Sequence, residues 1–409
     1  MSTPQYSIAQ VATAAVAGAV AAFGLTKLYI DKSQRSSNVA SSTAPQAHTK
    51  RTQSINFANT NFDSQYEYMV QLYPQLIDSF IQSIQSEHQL PEFAIKRVKR
   101  MCDYTIIGGK YNRALLVTNT IRILCQQHNI DSSLYGEHAV VLGWCIEILQ
   151  ALFLVADDIM DGSVTRRGKP CWYKLSEIQL DAVNDTLILE ALMYYLIDKY
   201  FVNTKQYTAI TQLFQSVTLN TEMGQMLDLL SQPQGKKGTD ILHSFNIELY
   251  NKIVKYKTCL YSFYLPLASA LILFDAPHLQ TALHVARTVS IELGTKFQIQ
   301  DDYLDCYQDP EILGKIGTDI RDHKCSWLVV QALELCTAHQ LSILEKYYGS
   351  ESGEQEIKKL YNELKLEEVY NKQEIESYNK IQSIINDNTD VLPAEVCQSI
   401  LDKIHNRQK

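Results

Sequence analysis

Long apolar stretches with helical spacing limit the folds open to this chain more than any other feature. Four of them cover residues 138–160, 178–201, 208–230 and 283–304. Breaks containing Gly, Pro or Asp lie at 162–170, 232–239 and 307–318, without the regular turns that separate short strands. Because several stretches are apolar on most faces, we expect them to be buried inside a helical bundle. The sequence therefore predicts an all-α fold.

The first 58 residues differ in composition from the rest of the chain. Residues 9–25 are apolar apart from Gln10 and Thr13, and the first charge is Lys27. A secretory signal would carry its positive charge ahead of the apolar stretch, and a spanning helix usually has about 20 strongly apolar residues. We interpret residues 1–32 as a membrane-anchor or targeting segment, 33–58 as a disordered linker and 59–409 as the folded domain. This leader leaves open a mitochondrial location, a membrane anchor facing the cytosol, or a cytoplasmic protein.

The overall charge excludes one class of partner. The formal net charge is −8, and the chain has no concentrated basic stripe of the kind that nucleic acids require, so no nucleic-acid binding is expected. The nine cysteines are scattered and form no Cys-x-x-Cys pair. That pattern favours free thiols in a reducing compartment over a zinc site or disulfides.

An acidic motif, Asp157-Asp158-Ile159-Met160-Asp161 (acidic motif 1), closes the first apolar stretch. On a helix Asp157 and Asp161 point the same way, and Asp158 lies about 100° round the axis. Two carboxylates so placed repel each other unless a cation lies between them. Hard oxygen ligands suit Mg²⁺. The spacing therefore predicts a magnesium site.

A second copy, Asp301-Asp302-Tyr303-Leu304-Asp305 (acidic motif 2), closes the last apolar stretch. One such motif could be a solvated helix end. Two of them at the ends of helices that face each other across a cavity would form two walls of a metal–diphosphate site. We therefore expect a single large helical bundle around a central cavity.

Basic residues accompany the acidic motifs. An Arg pair follows acidic motif 1, and a Gly-rich turn holds Lys110 and Arg113, each a good grip for phosphate. Any one of these cations alone would be interpreted as part of a surface ion pair. Together they predict a site for two diphosphates, one bound through Mg²⁺ and one by Lys and Arg.

These stretches resemble the eukaryotic farnesyl diphosphate synthase family of trans-isoprenyl diphosphate synthases. Acidic motif 1 with Arg166-Arg167-Gly168 resembles its first aspartate-rich motif, and residues 297–305 resemble the second. The other matching stretches are Gly109-Lys110 with Arg113, residues 221–228, Lys257-Thr258 with Tyr261, and residues 314–319. The resemblance spans about residues 65–409. It implies the isoprenoid synthase fold and a homodimer.

The resemblance also implies a role for each candidate residue. Mg²⁺ is expected on Asp157, Asp161 and Asp301, and the allylic diphosphate on Arg166, Lys257 and Lys315, with Lys324 as a further cation. Isopentenyl diphosphate is expected on Gly109, Lys110, Arg113, Gln150 and Arg167. The side chains expected to flank the reacting carbons are Thr258, Tyr261 and Gln298, and Phe297 is a further expected substrate-binding residue.

The expected reaction joins dimethylallyl or geranyl diphosphate to isopentenyl diphosphate, head to tail, to give farnesyl diphosphate. Leu152 and Phe153 stand where the family has the aromatic floor that limits chain length, and Leu152 is a departure that leaves C10, C15 and C20 products open. A second departure is Lys296, where the family has an aromatic residue, so we expect an added charge near the isopentenyl site. His405 and Asn406 are a third, in a tail that usually carries Tyr and Lys.

Two alternatives compete with this interpretation. A terpene synthase on the same scaffold would ionise a prenyl diphosphate without isopentenyl diphosphate and would have little need for Lys110, Arg113 and Gln150, which are all present. A catalytically silent partner subunit would have lost motif aspartates, and neither motif has lost one. Both observations favour the coupling enzyme.

Overall fold

The computed structural model describes residues 62–232, 238–309 and 317–405 of the chain. The predicted anchor, the predicted linker, Lys315 and Asn406 lie outside the described residues.

Fifteen α-helices make up most of the described structure. They are α1 (Phe62–His88), α2 (Glu92–Thr105), α3 (Asn112–Gln127), α4 (Gly136–Met160), α5 (Ala182–Phe201), α6 (Tyr207–Leu230), α7 (Gly238–Leu242), α8 (Ile247–Val254), α9 (Leu265–Phe274), α10 (Leu279–Tyr307), α11 (Trp327–Leu335), α12 (Ala338–Tyr347), α13 (Glu354–Glu363), α14 (Leu366–Asn386) and α15 (Ala394–His405). Short 3₁₀ turns cover Ser132–Leu134, Trp172–Lys174, Gln179–Asp181 and Glu351–Gly353. The predicted all-α fold is confirmed, and each of the four apolar stretches is helical over most of its length.

The only strands in the described ranges form one small hairpin. β1 (Thr165–Arg166) pairs antiparallel with β2 (Lys169–Pro170). Its two central residues have positive φ, 53° at Arg167 and 72° at Gly168, as a tight two-residue β-turn of this kind requires. The hairpin begins four residues after acidic motif 1, so it carries Arg166 and Arg167 back beside the end of α4.

Helix α4 is the central helix of the bundle. It packs against α3, α5 and α9, and residues from Ala139 to Leu149 have almost no exposed surface. Among the described residues, two helical stretches, Gly136–Met160 and Ile247–Phe274, are long and apolar enough to span a membrane, but 78% of the most apolar window of each is buried inside the protein. Burial in the core accounts for their composition.

A π-helical segment, Lys255–Tyr264, joins α8 and α9 into one continuous helix. Such insertions are rare and occur often at functional sites. This segment packs against both α6 and α10. Gly224 of α6 allows that approach, since a Cβ there would overlap the backbone nitrogen of Lys257.

Candidate active site

Acidic motif 1 presents two of its three carboxylates toward the open side of α4. The side chains of Asp157 and Asp161 are 24% and 17% exposed, whereas that of Asp158 is 4% exposed. Asp158 instead accepts hydrogen bonds from Arg166 Nε at 3.0 Å and Nη2 at 2.6 Å. The buried Asp158 therefore fastens the Arg hairpin to α4 and leaves the other two carboxylates to the site.

Two ammonium groups neutralise these carboxylates. Lys257 Nζ lies 3.2 Å from Asp157, and Lys324 Nζ lies 3.0 Å from Asp161. Both lysines also contact Asp228 of α6, at 2.7 and 3.1 Å. Two lysines and three carboxylates thus form one cluster that is mostly shielded from solvent, where charge interactions are stronger than in water.

Asp228 is a member of this cluster that sequence reasoning did not assign a role. Burial opposes its ionisation, but Lys257 and Lys324 outweigh that effect and hold the pKa of this carboxyl below its usual range. Burial and the neighbouring Asp157 raise the pKa of Asp161. In the sequence, Asp228 was indicated only as part of residues 221–228, one of the stretches that resemble the family.

The π-helical segment connects the two acidic motifs. Lys257 reaches acidic motif 1, and the next residue, Thr258, donates a hydrogen bond to Gln298 Oε1 at 3.1 Å. Gln298 Nε2 in turn donates to Asp302 Oδ1 at 2.9 Å. Consecutive residues of one segment therefore contact the ends of both α4 and α10.

The three carboxylates of acidic motif 2 have different surroundings. Asp301 is partly exposed, while Asp302 and Asp305 are buried. Burial raises the pKa of Asp302 to about 7. Asp302 and Asp305 each accept a hydrogen bond from a backbone amide, that of Trp327 at 2.8 Å and that of Asp319 at 3.0 Å. Asp301 is the carboxylate of this motif with most access to the site.

A second basic pocket surrounds Arg113 on α3. Its guanidinium group donates to Tyr261 Oη at 3.0 Å and to Ser262 Oγ at 2.8 and 3.1 Å, and it lies 4.7 Å from the ring centre of Tyr261. With the Gln150 amide oriented to satisfy both of its groups, its oxygen accepts from Arg113 Nη1 at 2.9 Å and its nitrogen donates to Glu147 at 3.1 Å. Arg113 and Gln150, two of the residues expected to bind isopentenyl diphosphate, therefore contact each other and line one pocket.

The hairpin and the Gly-rich turn complete this pocket. Arg167 Nη1 donates to the backbone oxygens of Thr105, Ile106 and Ile107 at 3.2–3.3 Å. Burial and the nearby cations Arg166 and Arg113 lower the pKa of Arg167. A Cβ on Gly109 would stand 3.2 Å from Arg167 Nη2, so these two predicted residues are neighbours. Lys110 is exposed beside them.

Aromatic side chains pack beside the pocket of Arg113. Phe153 packs against Tyr261 with 5.8 Å between ring centres, and Phe297 packs against Phe263 at 5.9 Å. Leu152, the departure from the family pattern, is 9% exposed. The apolar wall thus touches Tyr261, which also contacts Arg113.

Lys296 does not add a free charge to the site. Its ammonium group is fully buried against Glu374 of α14, 2.5 Å from Oε2 and 3.2 Å from the backbone oxygen. The expectation of an added charge near the isopentenyl pocket is therefore wrong, because the charge is paired with an acid 78 residues away in sequence.

Acidic motif 1 fits a divalent cation in part. Asp161 Oδ1 is buried and accepts no hydrogen bond from the described residues, and Asp157 shares its helix face. In the described ranges no three His, Cys, Asp or Glu side chains lie close enough to hold a metal ion among them. A cation here would therefore need oxygen ligands from a substrate or water in addition to the protein.

The sequence matches a known family over most of its folded part. The sequence profile described as polyprenyl synthetase matches residues 95–364. The farnesyl pyrophosphate synthase of Rattus norvegicus is 44% identical over 318 residues, which are 77% of this chain and 89% of that protein. The farnesyl pyrophosphate synthase of Saccharomyces cerevisiae is 41% identical over 349 residues, 84% of this chain and 97% of that protein.

The fold matches as well. A T. brucei farnesyl diphosphate synthase complexed with a bisphosphonate superimposes with a TM-score of 0.79 at 32% identity, over 84% of this chain and 100% of that chain. This likeness identifies the helical bundle as the isoprenoid synthase fold predicted from the sequence.

Proposed function

The chain belongs to the eukaryotic farnesyl diphosphate synthases of the polyprenyl synthetase family, and on this premise we propose that it couples an allylic diphosphate to isopentenyl diphosphate, head to tail, to form farnesyl diphosphate and release diphosphate. One observation carries the proposal: the Lys257–Lys324 carboxylate cluster and the Arg113–Gln150 pocket both adjoin the π-helical segment. Residues only a few positions apart on one segment thus contact both anion-binding sites, so the two diphosphates would lie close together, as a coupling reaction requires.

The allylic diphosphate binds beside acidic motif 1. Lys257 and Lys324 supply two ammonium groups there, and Arg166 lies 3.7 Å from Asp157. When diphosphate enters, these cations are free to exchange carboxylate partners for phosphate oxygens. Lys315, outside the described residues, is proposed as a further contact. The positive charge of these side chains stabilises the leaving diphosphate as the allylic C–O bond breaks.

A divalent cation belongs to this site, and we propose that it is Mg²⁺. Asp157, Asp161 and Asp301 would supply carboxylate oxygens of the kind that Mg²⁺ prefers, and oxygens of the substrate or of water would supply the remaining ligands. When bound, it would neutralise developing charge on the leaving diphosphate.

Isopentenyl diphosphate binds in the second basic pocket. Lys110 and Arg113 carry the main cationic charge, Arg167 and Gly109 form its far wall, and Gln150 orients Arg113. Glu147 is buried, which raises its pKa, and it accepts a hydrogen bond from the backbone amide of Ala114 at 3.2 Å. Glu147 also accepts a hydrogen bond from the Gln150 amide nitrogen at 3.1 Å and so orients Gln150.

The carbon chemistry takes place between the two pockets. Thr258, Gln298 and Tyr261 flank the space where the carbons meet, and their oxygens stabilise an allylic cation. Phe297 and the aromatic wall exclude water that would quench it. The double bond of isopentenyl diphosphate attacks the cation, and the proton then lost passes to the departed diphosphate. Leu152 and Phe153 set how long the product can grow.

A terpene synthase is not favoured. Such an enzyme needs one diphosphate site, and the pocket of Arg113, Gln150 and Arg167 would have no substrate. The relatives named above are all farnesyl pyrophosphate synthases, which adds to the case for coupling.

We propose a homodimer formed through α6. Leu219, Met223, Met226 and Leu230 are 41–59% exposed at helical spacing along one face of this helix, and such an apolar stripe on a soluble protein marks an interaction surface. Met226→Lys is expected to shift the protein to a monomer in light scattering. If the Met226→Lys variant remained a dimer at low protein concentration, the interface would lie elsewhere.

We also propose that residues 1–32 associate with membranes or direct targeting. Full-length protein and a variant lacking residues 1–58 are to be compared for flotation with lipid vesicles. Equal flotation of the two would contradict membrane association and leave targeting as the proposed role.

The reaction is tested with purified protein, Mg²⁺, isopentenyl diphosphate and geranyl diphosphate, with products measured by mass spectrometry before and after phosphatase treatment. Farnesyl diphosphate is expected only when both substrates are present. Alcohols or hydrocarbons formed without isopentenyl diphosphate, and no chain extension, would overturn the assignment.

A further inference from the structure

Acidic motif 2 holds two of its three carboxylates almost entirely away from solvent. Asp302 and Asp305 are 5% and 8% exposed. Asp302 Oδ2 accepts from the backbone amide of Trp327, and Asp305 Oδ2 accepts from that of Asp319. Both carboxylates therefore act on one neighbouring stretch of backbone, which we call the lysine segment (residues 319–327).

The lysine segment carries one of the two lysines of the carboxylate cluster at acidic motif 1. Lys324 lies between the two anchored amides and reaches across to Asp161 and Asp228. Within the segment, the Lys324 amide donates to the Asp319 backbone oxygen at 3.0 Å, and Tyr348 Oη donates to the Lys324 oxygen at 2.6 Å. Fixing both ends of the segment thus limits where the Lys324 ammonium group can go.

The approach to Asp305 is close. A Cβ on Gly317 would overlap the Asp305 backbone oxygen and stand 2.9 Å from Asp305 Oδ2. Glycine is therefore the residue that lets the chain entering the lysine segment lie directly on the end of α10.

We propose that Asp302 and Asp305 are positioning residues that hold the two ends of the lysine segment and so fix Lys324 against acidic motif 1, whereas Asp301 alone of the three faces the diphosphate. The effect of this division of roles on catalysis rests on the proposed function. The anchoring itself does not depend on the reaction, because it follows from two hydrogen bonds to backbone amides.

The test compares two substitutions of Asp305 in the full-length protein. Asp305→Asn keeps an oxygen that accepts the Asp319 amide, and Asp305→Ala removes it. Hydrogen–deuterium exchange, measured without substrate or metal, is expected to rise in residues 317–327 for Asp305→Ala and to stay at the wild-type level for Asp305→Asn. The KM for geranyl diphosphate is expected to rise about tenfold in the Ala variant only, the effect of losing one hydrogen bond to a charged group.

Three further variants separate anchoring from other roles. Asp301→Ala is expected to impair turnover while leaving exchange in residues 317–327 unchanged. Gly317→Ala alters no carboxylate, so it serves if Asp305→Ala fails to fold, and it is expected to raise exchange and KM together. Asp302→Ala is expected to raise exchange at Trp327 and Leu328.

Two results would overturn the proposal. If Asp305→Asn lost as much activity as Asp305→Ala, the carboxylate charge would matter and Asp305 would act on a metal or substrate. If Asp305→Ala and Gly317→Ala both left exchange in residues 317–327 unchanged, the segment would not be held there. Failure of the coupling reaction in wild-type protein would reject the proposed function and leave the exchange result standing.

Discussion

Lys296 and Glu374 form a buried ion pair that fastens α14 to α10, with the Lys296 side chain fully buried and its ammonium nitrogen 2.5 Å from Glu374 Oε2. Ser377 Oγ lies 3.4 Å from the same nitrogen, and His405 Nδ1 lies 3.8 Å from the same carboxylate. The pair thus joins the helix of acidic motif 2 to α14 and to the end of α15. Because Glu374 is distant from Lys296 in the sequence, the sequence alone showed no sign of the pair and indicated an unpaired charge on Lys296.

Breaking this pair should destabilise the protein. Glu374→Ala leaves a buried ammonium group without its partner, so we expect the free energy of unfolding to fall by about 3–5 kcal/mol. Urea denaturation followed by circular dichroism measures the change. As the control, Lys372→Ala removes a surface pair with Glu376 and should cost less than about 1 kcal/mol. Equal small effects for both variants would contradict the buried pair.

Removing a proposed metal ligand should strongly reduce turnover. Asp157→Ala leaves Lys257 without one of its two carboxylates and the cation without a ligand, and we expect kcat/KM to fall by about 100-fold or more. Calorimetry should also show loss of Mg²⁺-dependent binding of geranyl diphosphate. Glu248→Ala, an exposed change on α8, is the control. Wild-type turnover in Asp157→Ala would reject the metal assignment.

The second basic pocket should affect one substrate more than the other. Lys110→Ala removes a cation beside Arg167 and Arg113, so the KM for isopentenyl diphosphate is expected to rise about tenfold or more, the effect of losing a charge-assisted contact. The KM for geranyl diphosphate should change little. Steady-state kinetics with each substrate varied in turn gives both values. An effect confined to the allylic substrate would show that the two sites have been exchanged.

Local spacing predicted the parts of this site that depend on one helix. The positions of Asp157, Asp158 and Asp161 round α4 followed from helical geometry alone, as did the all-α class from the long apolar stretches. Contacts between distant segments did not follow. Asp228 joins Lys257 to Lys324 only because α6, the π-helical segment and the lysine segment meet in space, and the π-helical insertion itself leaves no recognisable pattern in the residues.

Product length should respond to the apolar wall. Phe153 packs against Tyr261, so Phe153→Ala opens space beside the growing chain and is expected to shift product from farnesyl toward geranylgeranyl diphosphate. Leu152→Phe restores the aromatic residue that the family has at this position, so it is expected to keep farnesyl diphosphate as the main product and to lower the share of geranylgeranyl diphosphate. Mass spectrometry of dephosphorylated products gives the C10, C15 and C20 shares. If both variants gave the same product shares as the wild type, other residues would determine the chain length.

A carboxyl group of α6 that lies beside α5 should make the stability of the protein depend on pH. Partial desolvation and the nearby Glu190 of α5 raise the pKa of Glu222 from 4.5 to about 7, and Tyr194 of α5 is a further titratable neighbour. Because the folded state holds the proton more tightly than the unfolded chain, this group stabilises the fold fully below about pH 4.5. That contribution is lost as pH rises through about 7. Glu222→Gln cannot titrate, so its free energy of unfolding should fall less than that of the wild type between pH 5 and 7. Parallel pH curves for the two proteins would show that Glu222 titrates normally.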